Sequence, residues 1–192
     1  MQIKSKKRAA LFTCFLLIFL FVFQLTSGAV YYIYDINVPT VLQQKSLWCW
    51  AACIKSVLDY YSQTGYSQSD IVYATYGNYN NQTATASTVM NTLIGYGVHA
   101  HVSSGSMSMN SIQSNIGTSN QPIIAGLLYT NGNTIIGAHM VVLSGYENTA
   151  DFKTVTYMNP ADALYHTETY SYFCSCSNKS WVESINQLYL YS

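Results

Sequence analysis

The sequence predicts an α+β protein in which helices come first and antiparallel strands follow. From residue 53 to residue 61, apolar residues recur at intervals of three and four, which is typical of a helix with a broad buried face. After residue 122, short β-branched and aromatic runs are separated by turn-forming residues, which is typical of strands. Because helices and strands do not alternate along the chain, an α+β fold is favoured over a parallel α/β fold.

The N-terminal segment has the three-part pattern of an export signal. Residues 1–10 carry four basic side chains, residues 11–25 are almost wholly apolar, and residues 26–29 are small or polar. We therefore predict a signal peptide over residues 1–29 and one mature domain over residues 30–192, secreted to the extracellular space. The apolar run has about fifteen residues and a bilayer span needs roughly twenty, so an uncleaved anchor is the weaker alternative. No stable membrane insertion is expected after signal removal.

The charge of the mature domain excludes one class of partner. Only 8% of the chain is charged, while 49% is hydrophobic, enough to fill a core. Beyond residue 30 there are four lysines and eight acidic residues, which gives a net charge of −4. A mildly acidic domain without a basic cluster is not expected to bind nucleic acid.

The first half of the mature domain is predicted to be mainly helical, with two strands. A first strand covers residues 30–34, and the helix behind Cys49 begins at an N-cap, Ser46, and ends near residue 61. Residues 67–70 have the form of a capping box and open a helix through residue 76. An Asn-rich loop over 77–83 follows, and the remaining predicted elements are helices over 87–94 and 110–116 and a strand over 98–102.

The second half is predicted to be a set of antiparallel strands. They cover residues 122–129, 138–146, 152–158, 165–173 and 188–191, with a turn over 130–133.

Cys49 is the candidate nucleophile of the chain. With Ser46 as the N-cap, Cys49 would lie three residues inside the helix, where the positive end of the helix dipole favours the thiolate over the thiol. Gln43, six residues earlier, could direct its side-chain amide toward a developing oxyanion. The alternative is that Cys49 is a small buried hydrophobe and that Trp48 and Trp50 are ordinary core residues.

A predicted hairpin offers a base and an orienting group. His139 opens one strand and Asn159 ends the next. If the hairpin is symmetric about Thr149, opposed residues have numbers that sum to 298, and His139 lies opposite Asn159 at about 5 Å between Cβ atoms. The Asn159 carbonyl would then accept the imidazole N–H and fix the tautomer. Taken singly, His139 is better explained as a core histidine and Asn159 as a strand end; the hypothesis depends on the residues together.

The order of these residues resembles the papain-like cysteine peptidases. Gln43 is followed six residues later by Cys49 on a helix, and much later by His139 on a strand and Asn159 at the end of the next. The segment Trp48–Ala52 is most similar to compact bacterial secreted and effector types. Residues 122–124 and 137–139 are also similar to the peptidase domains that process bacteriocin leaders. The resemblance covers about residues 38–162.

The resemblance implies a role for each of these residues. Cys49 would be the nucleophile, His139 the general base and then the acid, Asn159 the orienting residue, and Gln43 the oxyanion donor. The chain departs from larger relatives, which have Gly and Ser before the cysteine and Ser-Trp after the asparagine, because it has Leu and Trp before Cys49 and Pro and Ala after Asn159.

These observations lead to the hypothesis of a secreted cysteine peptidase. It would hydrolyse peptide or protein substrates through an acyl-enzyme on Cys49, without a cofactor or a metal. Two alternatives stay open: another thiol acyl-transfer enzyme on the same residues (an amidase, deamidase or transglutaminase-like enzyme), or a non-catalytic secreted binding or toxin module. About thirteen residues before Gln43 are too few for an inhibitory prodomain, so a separate inhibitor protein is an open partner, as is the oligomeric state.

Three further cysteines suggest a disulfide. In an oxidising compartment one bridge is expected from Cys53 to Cys174 or Cys176, with the connectivity undetermined. A zinc site using Cys174, Cys176 and His166 is the alternative, but these residues lack the paired spacing of zinc ligands.

The position of Gln43 in the sequence generates a testable prediction. Loss of one oxyanion donor typically lowers kcat about a hundredfold or more. Gln43→Ala should therefore fold normally and react slowly, whereas Gln44→Ala should be nearly silent, as measured by peptide hydrolysis and thermal unfolding. The reverse result would assign the donor to Gln44.

Overall fold

The computed structural model describes residues 32–191 of the 192-residue chain. The predicted signal peptide and the first two residues of the predicted first strand lie outside the described residues. Within the described residues, no helix combines the length and apolar character that a membrane crossing requires.

The described residues form an α+β fold with a helical first half. The helices are α1 (Cys49–Tyr60), α2 (Gln68–Tyr76), α3 (Ala86–Gly95), α4 (Met109–Ile112), which continues as a π-helix (Gln113–Thr118), and α5 (Tyr170–Cys174). The strands are β1 (Tyr32–Asp35), β2 (Val98–Ser104), β3 (Ile123–Asn131), β4 (Thr134–Asn148), β5 (Lys153–Asn159), β6 (Leu164–Thr169), β7 (Ser175–Cys176) and β8 (Lys179–Leu190).

The strands of residues 32–191 form one sheet in which every described pairing is antiparallel. Its order is β2-β8-β3-β4-β5-β6, with β1 beside β4 and β7 beside β8. The 15-residue strand β4 is the longest and pairs with β3 along its first part and with β5 along its last. Beyond the end of β3, β1 pairs with β4 at Gly145–Asn148. β4 is therefore the central strand of this part of the sheet, since it pairs with β1, β3 and β5.

Helix α1 is buried on most of its surface and packs against β4. Two tryptophans at its start, Trp48 and Trp50, are both about 1% exposed. Their indole N–H groups donate to the carbonyl oxygens of Asn80 (2.9 Å) and Gln82 (3.0 Å), as buried indoles require. Burial of a large apolar side chain typically contributes about 1.5–3 kcal/mol, so these two residues fix the start of α1 in the core.

Several predicted elements are confirmed. The capping box at the start of α2 is present, with Ser67 and Asp70 bonded reciprocally to each other's backbone N–H groups. Helix α3 lies within one residue of its predicted bounds at each end, and the predicted strand at 98–102 is β2, which runs two residues further. The predicted helix at 110–116 is α4 and its π-helical continuation.

Two predictions about the C-terminal strands are wrong. The strand predicted at 188–191 is the 12-residue β8, which lies inside the sheet between β2 and β3. Irregular registers in both of its pairings interrupt the alternation that would have revealed it. The strand predicted at 165–173 ends at Thr169, and the chain turns into α5, which places Phe173 in the core.

The predicted register of the β4–β5 hairpin is also wrong. Near the turn, Asn148 pairs with Lys153, so that opposed residue numbers sum to 301 and not 298. A bulge between Leu143 and Gly145 then changes the sum to 300, as in the pair of Val142 and Met158. Asn159 therefore lies level with residue 141, diagonal to His139 and not directly opposite it.

The expected disulfide is not formed. The four cysteines between residues 32 and 191 are all free thiols. Cys53 is fully buried within α1, Cys174 ends α5, and the Cys176 thiol lies 3.3 Å from the Asn178 side-chain oxygen. Each thiol is thus held in a separate environment.

Candidate active site

The nucleophile helix begins later than predicted. Cys49 is the first residue of α1, and its N-cap is Trp48, without a side-chain capping bond. Ser46 is not the N-cap, because the chain turns once more before the helix, with the Trp48 N–H donating to the Lys45 carbonyl (3.0 Å). The Ser46 hydroxyl accepts a bond from the Asn81 amide instead (2.8 Å). Cys49 is consequently nearer the positive end of the helix than the sequence predicted.

Gln43 joins the loop before α1 to the end of β5. Its backbone N–H donates to the Pro160 carbonyl (2.8 Å). Its side-chain Nε2 donates to the carbonyl oxygens of Lys45 and Ser46, both at 3.0 Å, and its Oε1 is buried without a partner among the described residues. To donate to an oxyanion, Gln43 Nε2 must give up its hydrogen bond to one of these two carbonyl oxygens. An anion is a stronger acceptor than a peptide carbonyl, which favours that exchange.

Gln68 holds the backbone on both sides of Gln43 and was missed in the sequence. It is 2% exposed, and its amide accepts from the Gln44 N–H (3.0 Å) and donates to the Leu42 carbonyl (2.7 Å). From the sequence, residues 67–70 were predicted only to form a capping box. A glutamine at the second position of a capping box carries no signal that it will bond to a distant loop.

Asn81 holds the remainder of the same loop. Its side-chain oxygen accepts from the Leu47 N–H (2.9 Å), and its Nδ2 donates to the Ser46 hydroxyl. The neighbouring carbonyl of Tyr79 accepts from Lys45 Nζ (2.6 Å). The Asn-rich composition of residues 77–83 predicted a loop, and the structure shows that this loop is hydrogen-bonded to the segment that precedes Cys49.

The side chains of His139 and Asn159 are joined by a hydrogen bond. His139 Nε2 lies 2.8 Å from Asn159 Oδ1. The Ala161 N–H also donates to this Oδ1 (3.1 Å), which identifies the atom as the acceptor oxygen. Because that oxygen can only accept, Nε2 carries the proton, and in the neutral ring Nδ1 has the free lone pair. The imidazole thus presents a base on the side away from Asn159.

Asp162 is not the partner of His139. Its carboxylate lies 2.8 Å from His166 Nε2 and is at the limit of hydrogen bonding, 3.5 Å, from Asn159 Nδ2. It therefore lies behind Asn159, where its negative charge adds to the factors that raise the pKa of His139.

Cys49 and His139 line the same cavity. It has a volume of about 250 Å³ and lies between the helical half and the sheet. One wall contains Trp50, Thr83 and Ala84, and the other is formed by parts of three strands: β3 (126–128), β4 (138–140) and β8 (182–183). The arrangement is a cleft between two halves of one domain with a thiol on one side and an imidazole on the other.

Burial opposes charge on both groups. Burial raises the pKa of the Cys49 thiol, although the backbone N–H groups of Met140, Trp50 and Cys49 itself act to lower it. Burial also lowers the pKa of His139, and the bond to Asn159 offsets this in part. The expectation of a lowered pKa for the Cys49 thiol is therefore wrong, because burial outweighs the backbone N–H groups that act to lower this pKa.

The alternative zinc site is not assembled. Among residues 32–191, no three His, Cys, Asp or Glu side chains converge as a metal-binding group. His166 stacks on Tyr157 with ring centroids 5.6 Å apart and pairs with Asp162.

Comparison with solved structures identifies the fold. A double glycine motif protease from an AMS/PCAT transporter, in complex with the leader peptide, has a TM-score of 0.52 at 19% identity and covers 80% of this chain and 94% of that chain. The peptidase domain of Streptococcus ComA, a bifunctional ABC transporter involved in a quorum-sensing pathway, has a TM-score of 0.54 at 16% identity (78% and 98% covered). Digestive procathepsin L2 from the larval midgut of Tenebrio molitor has a TM-score of 0.54 at 14% identity (85% and 70% covered). At these identities the similarity establishes a papain-like fold.

The family follows from the sequence itself. Residues 32–178 match the model of the peptidase C70 family, described as papain-like cysteine protease AvrRpt2. The chain belongs to this family and is a cysteine peptidase of the papain-like class. Curated proteins gave no match.

The contacts of Gln68 predict a positioning role. Gln68→Leu fills the same space but leaves the Gln44 N–H and the Leu42 carbonyl without partners, which typically costs about 1–3 kcal/mol. We expect a lower free energy of unfolding together with a fall in kcat, because the loop that carries Gln43 loses its support. Gln63→Leu is the matched control, since the Gln63 side chain makes no hydrogen bond among residues 32–191. Unchanged kcat in Gln68→Leu would remove Gln68 from the site.

The lowered pKa of His139 predicts a pH dependence of stability. Unfolding exposes the imidazole, which then takes a proton near its ordinary pKa of 6.5, whereas the folded state resists protonation. The contribution is therefore fully present above pH 6.5 and is lost as the pH falls through the folded pKa. Urea unfolding at pH 7.5 and pH 5 should show a larger loss for the wild type than for His139→Gln, which does not titrate there. Equal losses in the two proteins would contradict the assignment.

Proposed function

We propose that the protein is a secreted peptidase that hydrolyses peptide bonds through an acyl-enzyme on Cys49, with His139 as base, Asn159 as orienting residue and Gln43 as oxyanion donor. The observation that carries this proposal is the His139–Asn159 hydrogen bond beside a cleft that Cys49 also lines. The bond fixes the imidazole tautomer in which Nδ1 has a free lone pair and can accept a proton from a thiol.

The first step forms the acyl-enzyme. His139 Nδ1 takes the proton of the Cys49 thiol while the sulfur attacks the scissile carbonyl carbon. Negative charge develops on the carbonyl oxygen, where backbone N–H groups of the first turn of α1 and the Gln43 amide are available as donors. The imidazolium then gives its proton to the leaving amine as the C–N bond breaks, leaving a thioester on Cys49.

The second step releases the product. A water molecule loses a proton to His139 and attacks the thioester carbonyl, and the thiolate leaves and takes the proton back. Burial opposes charge on both the Cys49 thiol and the His139 imidazole. The hydrogen bond to Asn159 stabilises the imidazolium that forms transiently.

The substrate is proposed to be a peptide or protein segment bound in an extended form. The cleft has a volume of about 250 Å³, and in one structure of the same fold the bound partner is a leader peptide. Secretion is supported by the pattern of residues 1–29. It is tested by recovering the protein from the medium and sequencing its N-terminus, which should begin near residue 30.

The proposal predicts that Cys49 is the reactive thiol and that catalysis depends on it. An epoxide or iodoacetamide probe should label Cys49 first, since Cys53 is fully buried, and prior labelling should abolish cleavage of a fluorogenic peptide library. Cys49→Ala should be inactive while Cys53→Ala keeps activity. Cleavage that survives in Cys49→Ala would overturn the proposal.

The same measurements separate the rival functions. If Cys49 is labelled and non-peptide amides are hydrolysed, or peptides are deamidated or cross-linked, while no peptide is cut, the protein is an acyl-transfer enzyme of another type. If the probe does not prefer Cys49 and no peptide reacts, the fold serves as a binding module.

A further inference from the structure

Glu183 lines the cleft near the nucleophile. Strand β8 places it opposite Gly126 of β3. A Cβ atom built at Gly126 would lie 2.4 Å from Glu183 Cγ and 2.9 Å from its Oε1. The Glu183 side chain therefore occupies the space that a larger residue at position 126 would fill. Glu183 can line this wall of the cleft because Gly126 has no side chain.

Among the described residues, the Glu183 carboxylate has no partner of opposite charge. The ion pairs among residues 32–191 involve other residues, and three of the four lysines there, Lys45, Lys55 and Lys179, are held elsewhere. Burial raises the pKa of Glu183, and within residues 32–191 no hydrogen bond or positive charge offsets this effect. A half-buried carboxylate without a partner is unfavourable, and a cation that enters the cleft removes that cost.

The surroundings of Glu183 suit a long cationic side chain. The cleft wall beside it is apolar, with Leu127 and Leu128 from β3, Ala138 from β4 and Val182 from β8. Lysine and arginine bury an apolar stem against such surfaces and keep a charged head on a polar group. Charge-assisted bonds to a carboxylate are about twice as strong as neutral ones.

We propose that Glu183 is a specificity-determining residue that selects a lysine or arginine side chain next to the scissile bond of the substrate. This inference rests on the proposed peptidase function and adds the class of residue that the cleft accepts. The first of its two tests measures peptide hydrolysis, and the second reports on Glu183 without it.

The first test uses N-terminally acetylated fluorogenic peptides, so that no free amino terminus competes for Glu183. One position at a time carries Lys, Arg, norleucine or Glu. At one position the wild type should show a kcat/KM at least about tenfold higher for Lys or Arg than for norleucine, the discrimination that one charge-assisted bond gives. In Glu183→Gln this ratio should fall toward one. Glu147→Gln, the same change at a half-buried glutamate near the other end of β4, should keep the wild-type ratio.

The second test needs no peptide hydrolysis. Cys49 is modified with 2-aminoethyl methanethiosulfonate (cationic) or 2-sulfonatoethyl methanethiosulfonate (anionic). In each case the thiolate attacks the sulfenyl sulfur, a mixed disulfide forms and methanesulfinate leaves. The rate at Cys49 is followed by mass spectrometry of its peptide. The cationic reagent should react faster in the wild type and in Glu147→Gln, and this preference should fall several-fold in Glu183→Gln.

The outcomes distinguish the two proposals. Peptide cleavage without a cationic preference, together with a reagent preference that Glu183→Gln does not change, would overturn the role of Glu183 and leave the peptidase intact. A Glu183-dependent reagent preference without any peptide cleavage would support the cationic subsite and count against peptide hydrolysis.

Discussion

The site depends on the polar contacts that hold the irregular segment from Leu42 to Trp48. Half-buried backbone outside helices and sheets must find partners for its N–H and C=O groups. Here the partners come from separate parts of the chain: Gln68 in α2, Asn81 in the Asn-rich loop, and the Pro160 carbonyl just after β5. Because the last of these adjoins Asn159, the same contacts set the thiol loop relative to the hairpin. Stability and site geometry are therefore coupled in this segment.

The bulge in β4 is the second constraint, and it acts through the two-residue period of a strand. Side chains of one strand alternate between faces, so a change of one residue in register exchanges the faces. Without the bulge between Leu143 and Gly145, Asn159 would lie level with Val142 and face away from His139. With the bulge it lies level with residue 141, on the same face as His139 and diagonal to it, still within reach of an imidazole and an amide.

The sequence could predict what depends on local pattern. The apolar period of α1, the capping box of α2 and the order of Gln43, Cys49, His139 and Asn159 are visible along the chain. The predicted start of α1 was wrong because serine is a residue type that is common at N-caps. The Ser46 hydroxyl is instead bonded to Asn81, 35 residues away in the sequence. The predicted hairpin register was wrong because the turn is not centred on Thr149 and because a bulge leaves no mark in composition. The shared face of His139 and Asn159 was nevertheless predicted correctly. The sum is three higher than predicted near the turn and one lower again after the bulge, so the net shift is two residues, and an even shift keeps a side chain on the same face.

What the sequence could not reveal are residues whose roles arise from contacts across the fold. Glu183 sits on a strand whose alternation is broken by bulges, and its place in the cleft depends on Gly126, 57 positions earlier. Gln68 is buried only because the Gln43 loop passes over α2. In each case a polar side chain is half-buried or buried, and its position depends on a group that is distant in the sequence but adjacent in the fold. For Gln68 that neighbour is the backbone before α1, so the described chain satisfies it. For Glu183 the described chain supplies no such neighbour, and a cation that enters the cleft would offset the unfavourable burial of its charge.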